Sequence, residues 1–119
     1  MGRFIKGFGY AFSGLGYALK TQLNFKVHLL ALALVSALGY WFKLAWTEWL
    51  WIIGAAGMVL VAELLNTAIE VLTDLVSPEI HPKAKIIKDV SAAAVLLAAI
   101  TAAAIGLVIF IPKLLCHAA

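Results

Sequence analysis

Trp49-Leu50-Trp51-Ile52-Ile53-Gly54-Ala55-Ala56-Gly57-Met58-Val59-Leu60-Val61-Ala62 carries no charge, and its helical pattern runs on through Glu63, Asn66, Glu70 and Asp74 with no Pro or Gly to stop it. At about 100° per residue, Asn66 falls near −60° from Glu63, Glu70 near −20° and Asp74 near +20°. All four share one narrow face. An acid at mid-membrane costs roughly 2.5–3.5 kcal/mol, so three facing lipid would together cost about 7–10 kcal/mol. They must face protein or water. With a rise of about 1.5 Å per residue the stripe from Glu63 to Asp74 extends about 16 Å, enough to join the bilayer interior to its surface.

The rest of the chain fits the same solvent. Of 119 residues, 65% are hydrophobic and 13% charged, against about 25% charged in ordinary soluble domains. Val27 to Phe42 is free of formal charge, with His28 at one edge and Tyr40-Trp41 at the other, and reads as a short first span. Val90 to Ile111 is free of charge over 22 residues, more than the roughly 20 a bilayer crossing needs. Pro112 and Lys113 are expected to end it. Phe4 to Leu23 mixes aromatic and aliphatic residues with Gly, Lys6, Ser13 and Lys20, too polar to span but suited to an amphipathic helix on the membrane surface. The reading is therefore an all-α integral membrane domain over 1–119: a surface helix at about 4–23 and transmembrane helices at about 27–42, 47–74 and 87–111.

Trp41, Trp46, Trp49 and Trp51 cluster about the first inter-span connection, as indoles do at the membrane–water boundary. The second connection, Ser77 to Lys85, holds two prolines and three charges and reads as a true loop. Arg3, Lys6, Lys20, Lys26, Lys83, Lys85 and Lys88 lie on one side against Lys43 and Lys113 on the other, which places the N-terminus and second loop in the cytoplasm. Topology and anionic headgroups account for the net charge of +3, so no nucleic-acid partner is expected. The start has no signal-peptide h-region or cleavage site, and the single Cys116 reads as packing. A chain this short cannot enclose a polar site alone, so a homo-oligomer is expected.

Lys88 and Asp89 add a cation and a carboxylate at the start of the third span, and with Glu79 and His81 they are placed to clamp a charged ligand. A structural reading competes, in which Lys88 merely pairs with an acid of the second span. Packing alone does not require this concentration of acid. Oxygen-rich sites with few nitrogens suit Mg²⁺, which takes one or two carboxylates plus substrate phosphates. Phosphoryl transfer needs positioning, charge neutralisation and a carboxylate for the alcohol proton, and the inventory fits that reaction. There is no Walker loop or protein-kinase glycine loop, and Gly7, Gly9, Gly14 and Gly16 are better explained by helix packing than by a phosphate cradle. His28 and His117 read as interfacial polar residues rather than ligands.

Glu63-Leu-Leu-Asn-Thr-Ala-Ile-Glu70, Asp74, and His81-Pro-Lys-Ala-Lys-Ile-Ile-Lys88-Asp89 together resemble the prokaryotic diacylglycerol kinase family. Arg3-Phe4, Lys6, Gly9-Tyr10, Gly14-Leu15 and Asn24-Phe25-Lys26-Val27-His28 match that pattern in order and spacing. The resemblance implies a homotrimer with sites shared between subunits, in a bacterial cell membrane, active site facing the cytoplasm. It implies ATP as co-substrate, Mg²⁺ as cofactor and a membrane lipid alcohol as acceptor. Glu63 resembles the family's general base and Glu70 its metal ligand, with Asn66 and Asp74 as supporting active-site groups. Arg3, Tyr10, Glu79, Ile80, His81, Lys88 and Asp89 fall at ATP positions. Gln22 stands where the family usually has a metal-binding Glu, which implies weaker Mg²⁺ binding or lower activity. The His81-Pro82 loop is similar to the undecaprenol kinase branch, so undecaprenol is the expected acceptor and diacylglycerol the alternative. Two other classes compete less well: an ion or proton channel lined by Glu63, Glu70 and Asp74, and an accessory subunit whose charges only specify helix pairing.

Overall fold

The computed structural model describes residues 1–118, and among these it is entirely helical: α1 (Gly2–Thr21), α2 (Leu23–Trp41), α3 (Trp46–Val76) and α4 (Pro82–Ala118). The last three are long and apolar enough to cross a bilayer. At about 1.5 Å per residue α3 and α4 reach about 46 and 55 Å, well beyond a hydrocarbon core of about 30 Å. Their ends therefore project from it. The principal extents, 57 × 42 × 21 Å, follow from these two rods, which pack along each other as the main helix pair.

α1 and α2 are separated by one residue. Gln22 is extended (φ −107°, ψ 107°), and its N–H still donates to Ala18 O at 2.9 Å. Thr21 turns its hydroxyl back to Tyr17 O at 2.7 Å. The second span consequently starts at Leu23, four residues before the charge-free run, and takes in Asn24 and Lys26.

α2 ends in a Schellman motif: Leu44 N–H donates to Gly39 O at 3.0 Å, Lys43 N–H to Tyr40 O at 3.2 Å, and Lys43 has φ 55°. Glycine usually takes that left-handed position, because a Cβ there costs roughly 1–2 kcal/mol. At the start of α3, Glu48 Oε1 accepts the Ala45 N–H at 3.0 Å. This is half of a capping box, since Ala45 has no side-chain oxygen with which to reciprocate.

Pro112 does not stop α4, contrary to the sequence expectation; the helix continues to Ala118. Membrane helices tolerate loss of the backbone hydrogen bond that proline removes, because neighbouring groups satisfy the freed carbonyl. Here Lys113 Nζ sits 3.1 Å from Glu48 Oε1, and Phe42 packs edge-on against Phe110 and His117. Leu44, Ile52 and Phe110 form the buried cluster at this end, packed on Val35, Phe42, Trp49 and Ile109. Trp49 lies so close on Gly39 that a Cβ there would stand 2.7 Å from its ring and 2.9 Å from Leu44 Cδ1.

At the opposite end α3 stops at Ser77, whose hydroxyl donates to Glu79 O at 3.2 Å. Pro82 opens α4, where its missing N–H and fixed φ are no handicap. His81 Nδ1 accepts the Lys83 N–H at 3.1 Å, an N-cap by a ring nitrogen.

Candidate active site

The face of α3 that carries Glu63, Asn66, Glu70 and Asp74 is a gradient of burial. Glu63 is 1% exposed and Asn66 7%, Glu70 is half-buried, and Asp74 is exposed. Asn66 Nδ2 donates to Glu70 Oε1 at 3.1 Å, one turn along the same stripe. Thr67 and Thr73, buried beside it, return their hydroxyls to the backbone at Glu63 O and Ile69 O, at 2.9 and 2.6 Å. Two enclosed polar atoms remain without a hydrogen-bond partner among the described residues, Glu63 Oε1 and Asn66 Oδ1. Unsatisfied buried oxygens are rare and costly, so they mark where the chain holds polar groups for something other than its own packing.

His28, on α2, brings Nε2 to 3.1 Å from Glu63 Oε1. The ring N–H is not aligned as a hydrogen bond, so the contact is one of proximity and Oε1 stays unsatisfied. On sequence His28 reads as an interfacial polar residue rather than a ligand. The available signal was its place in an otherwise apolar span, where an ionisable side chain is by default a functional candidate.

Where α3 emerges, Lys88 Nζ meets Asp74 Oδ1 at 2.5 Å across to α4, and Lys85 Nζ meets Asp89 Oδ2 at 2.6 Å along α4. The Lys88–Asp74 pair is the helix-pairing arrangement that competed with ligand binding on sequence. Its side chains are 41% and 65% exposed, and pairs exposed to water contribute only about 0–1 kcal/mol. Pairing of this strength does not commit Lys88. Asp74, Glu79, Ile80, His81, Lys88 and Asp89 together line one cleft of about 290 Å³ between the helix ends and the loop. His81 has a local duty there as the α4 cap.

Arg3 and Tyr10 are exposed on α1, which contacts α2 and α3 but not α4. Within one chain they do not join the cleft. Gln22 is half-buried at the α1–α2 break. A second, apolar groove of about 820 Å³ runs between α1 and α3, with Leu64 and Thr67 in its wall, one residue and four residues from Glu63.

The polar stripe of α3 thus runs from a buried carboxylate beside an apolar groove to a charged cleft at the helix end. Residues 9–110 match the family described as prokaryotic diacylglycerol kinase. The chain is 40% identical over 114 residues to an undecaprenol kinase of Bacillus subtilis, covering 96% of this chain and 93% of that one. It is 39% identical over 109 residues to a diacylglycerol kinase of Synechocystis, covering 91% of this chain and 62% of that longer protein. With the diacylglycerol kinase of Escherichia coli it shares 32% over 100 residues, 84% of this chain and 82% of that one. A family match across most of the chain, on a bundle with three membrane-spanning helices, establishes that this protein belongs to the prokaryotic diacylglycerol kinase family and is a membrane lipid kinase.

Proposed function

We propose that the chain transfers the γ-phosphate of ATP to the hydroxyl of undecaprenol, with diacylglycerol as the second acceptor, and that Glu63 is the general base. One observation carries this reading: a carboxylate 1% exposed, with an unpartnered oxygen, sits next to the Leu64 and Thr67 wall of the apolar groove, at the inner end of the polar stripe that runs about 16 Å along α3 to the charged cleft at Asp74. A lipid alcohol held by its chain in the α1–α3 groove has its hydroxyl at the level of Glu63. A base must come within about 2.6–3.2 Å of the proton it takes. As the acceptor oxygen attacks phosphorus, its proton passes to the Glu63 carboxylate, and ADP leaves with the electrons of the broken P–O bond. The higher identity and coverage with the undecaprenol kinase favour the prenyl alcohol over the diacylglycerol.

The cleft residues hold the nucleotide. An incoming polyphosphate takes Lys88 from Asp74 at little cost, because an exposed pair is worth at most about 1 kcal/mol. Glu79, Ile80, His81 and Asp89 surround the same space, and Arg3 and Tyr10 reach it from a neighbouring subunit. A homotrimer with shared sites accounts for this arrangement, since α1 and α4 of one chain do not meet. Positive charge at the loop end orients this cleft to the cytoplasm, with α1 lying on the membrane surface.

Among the described residues no three of His, Cys, Asp and Glu converge within the chain. Mg²⁺ needs only one or two carboxylates when substrate phosphates supply the rest, and Glu70, steadied by Asn66, fits that donor set, with Gln22 contributing an amide oxygen. Bound there, the ion neutralises phosphate charge. Asn66 and Asp74 support the site, the first by fixing the Glu70 carboxylate and the second by holding Lys88 until nucleotide arrives.

The deciding experiment gives labelled ATP, Mg²⁺ and either lipid to the purified protein. Undecaprenol should accept phosphate faster than diacylglycerol, and Glu63→Gln should slow transfer about 100-fold or more, the range for a general base. Parental turnover in Glu63→Gln sinks the base assignment, and faster diacylglycerol phosphorylation reverses the acceptor order.

A further inference from the structure

Glu63 is the only large side chain that is fully enclosed among the described residues, and the proposed reaction needs its carboxylate in one orientation. Its terminal torsion is intrinsically broad. Something must hold it. On α3 itself the next stripe residue, Asn66, has its amide N–H turned to Glu70, and Thr67 donates to the Glu63 backbone rather than to its side chain. The remaining neighbour is His28, 3.1 Å from Oε1 and 24% exposed.

The surroundings of His28 leave it no other use. It lines a cavity of about 120 Å³ between α2, α3 and α4 whose remaining walls are apolar, Ala31, Ala55, Ala56 and Gly106 among them. An ionisable ring within a membrane span persists where it has a partner, and Glu63 is the one within reach. We infer that His28 is a positioning residue for Glu63: its Nε2–H closes on Oε1 and turns Oε2 toward the acceptor hydroxyl. The inference rests on reading Glu63 as the base. A small rotation of the ring converts the present 3.1 Å contact into a hydrogen bond, and catalytic hydrogen bonds commonly tighten when substrate binds.

The test compares His28→Leu, His28→Gln and Glu63→Gln in the full-length protein in lipid micelles, measuring kcat and the KM for ATP and for the acceptor. His28→Leu removes the donor and keeps the bulk; it should lower kcat about 10–100-fold, the scale of a misplaced catalytic group, with KM for ATP within about twofold. His28→Gln restores an N–H at similar reach and should return kcat to within about fivefold of the parent. If His28→Leu does not fold, His28→Met replaces it. His28→Leu at half the parental kcat or more overturns the inference, as does His28→Gln folded yet as slow as His28→Leu. Glu63→Gln separates the two claims. A slow Glu63→Gln beside a fast His28→Leu removes only the role of His28, whereas a fast Glu63→Gln removes the base itself.

Discussion

At the α2–α3 end, Trp49 is laid on Gly39, a Schellman turn closes α2, and Glu48 answers both the Ala45 N–H and Lys113. At the α3–α4 end the charged pairs are exposed, and deeper along the same face Glu63 Oε1 and Asn66 Oδ1 are buried without donors. One end spends its polar groups on holding the helices together. The other leaves polar groups unspent at the cost of stability, which is how a site is kept ready for a ligand. Stability and turnover should therefore be separable by position along the same two helices.

The largest effect should come from Gly39→Leu. A Cβ 2.7 Å from the Trp49 ring forces the turn apart, and overpacking of this kind costs about 1–3 kcal/mol. Thermal unfolding in detergent should fall by several degrees, while kcat per folded molecule stays near the parent; a collapse of kcat in the folded fraction breaks the separation of the two ends. Lys88→Met tests the other end. It should raise the KM for ATP about 10–30-fold, as expected for losing a charge-assisted phosphate contact, and move the unfolding temperature little because the Asp74 partner is exposed. A large loss of stability with unchanged KM would make Lys88 a strut rather than a ligand.

Glu48→Gln sharpens the first end further. It weakens both the half capping box and the contact to Lys113, and should lower the unfolding temperature slightly with no change in turnover. The smallest shift should be a gain: Lys43→Gly relieves the left-handed backbone at φ 55° and should stabilise by up to about 1 kcal/mol. A loss on this substitution would mean that the lysine side chain earns more at the membrane boundary than its backbone strain removes.

Three apolar helices and the acid stripe were legible because periodicity and charge are local signals, and the composition of Trp49 to Asp74 states both at once. The cleft was legible in part, since Asp74 and Glu79 through Asp89 are near in sequence and one loop brings them together. Three features were not. The break between the surface helix and the first span falls at Gln22, just ahead of the expected 23–27 interval, and neither Pro nor Gly marks that residue. Pro112 carries the usual signature of a helix stop, yet α4 passes through it and places Lys113 against Glu48 and His117 against Phe42. His28 and Glu63 lie on different helices, and no periodicity connects one such pair.

The single extended residue at Gln22 makes α1 a lever. From Gln22 to Arg3 the helical arm is about 28 Å, so a tilt of 10° at that joint sweeps Arg3 through about 5 Å. That is more than the reach of one hydrogen bond. α1 rests on α2 and α3 and does not touch α4, so on the proposed sharing of sites between subunits α4 of its own chain does not set the height of Arg3 over the neighbouring cleft. On the proposed surface placement the headgroup plane sets it instead, and bilayer thickness becomes an input to the rate: a thinner membrane would tip the arm and draw Arg3 away from the phosphate proposed for it.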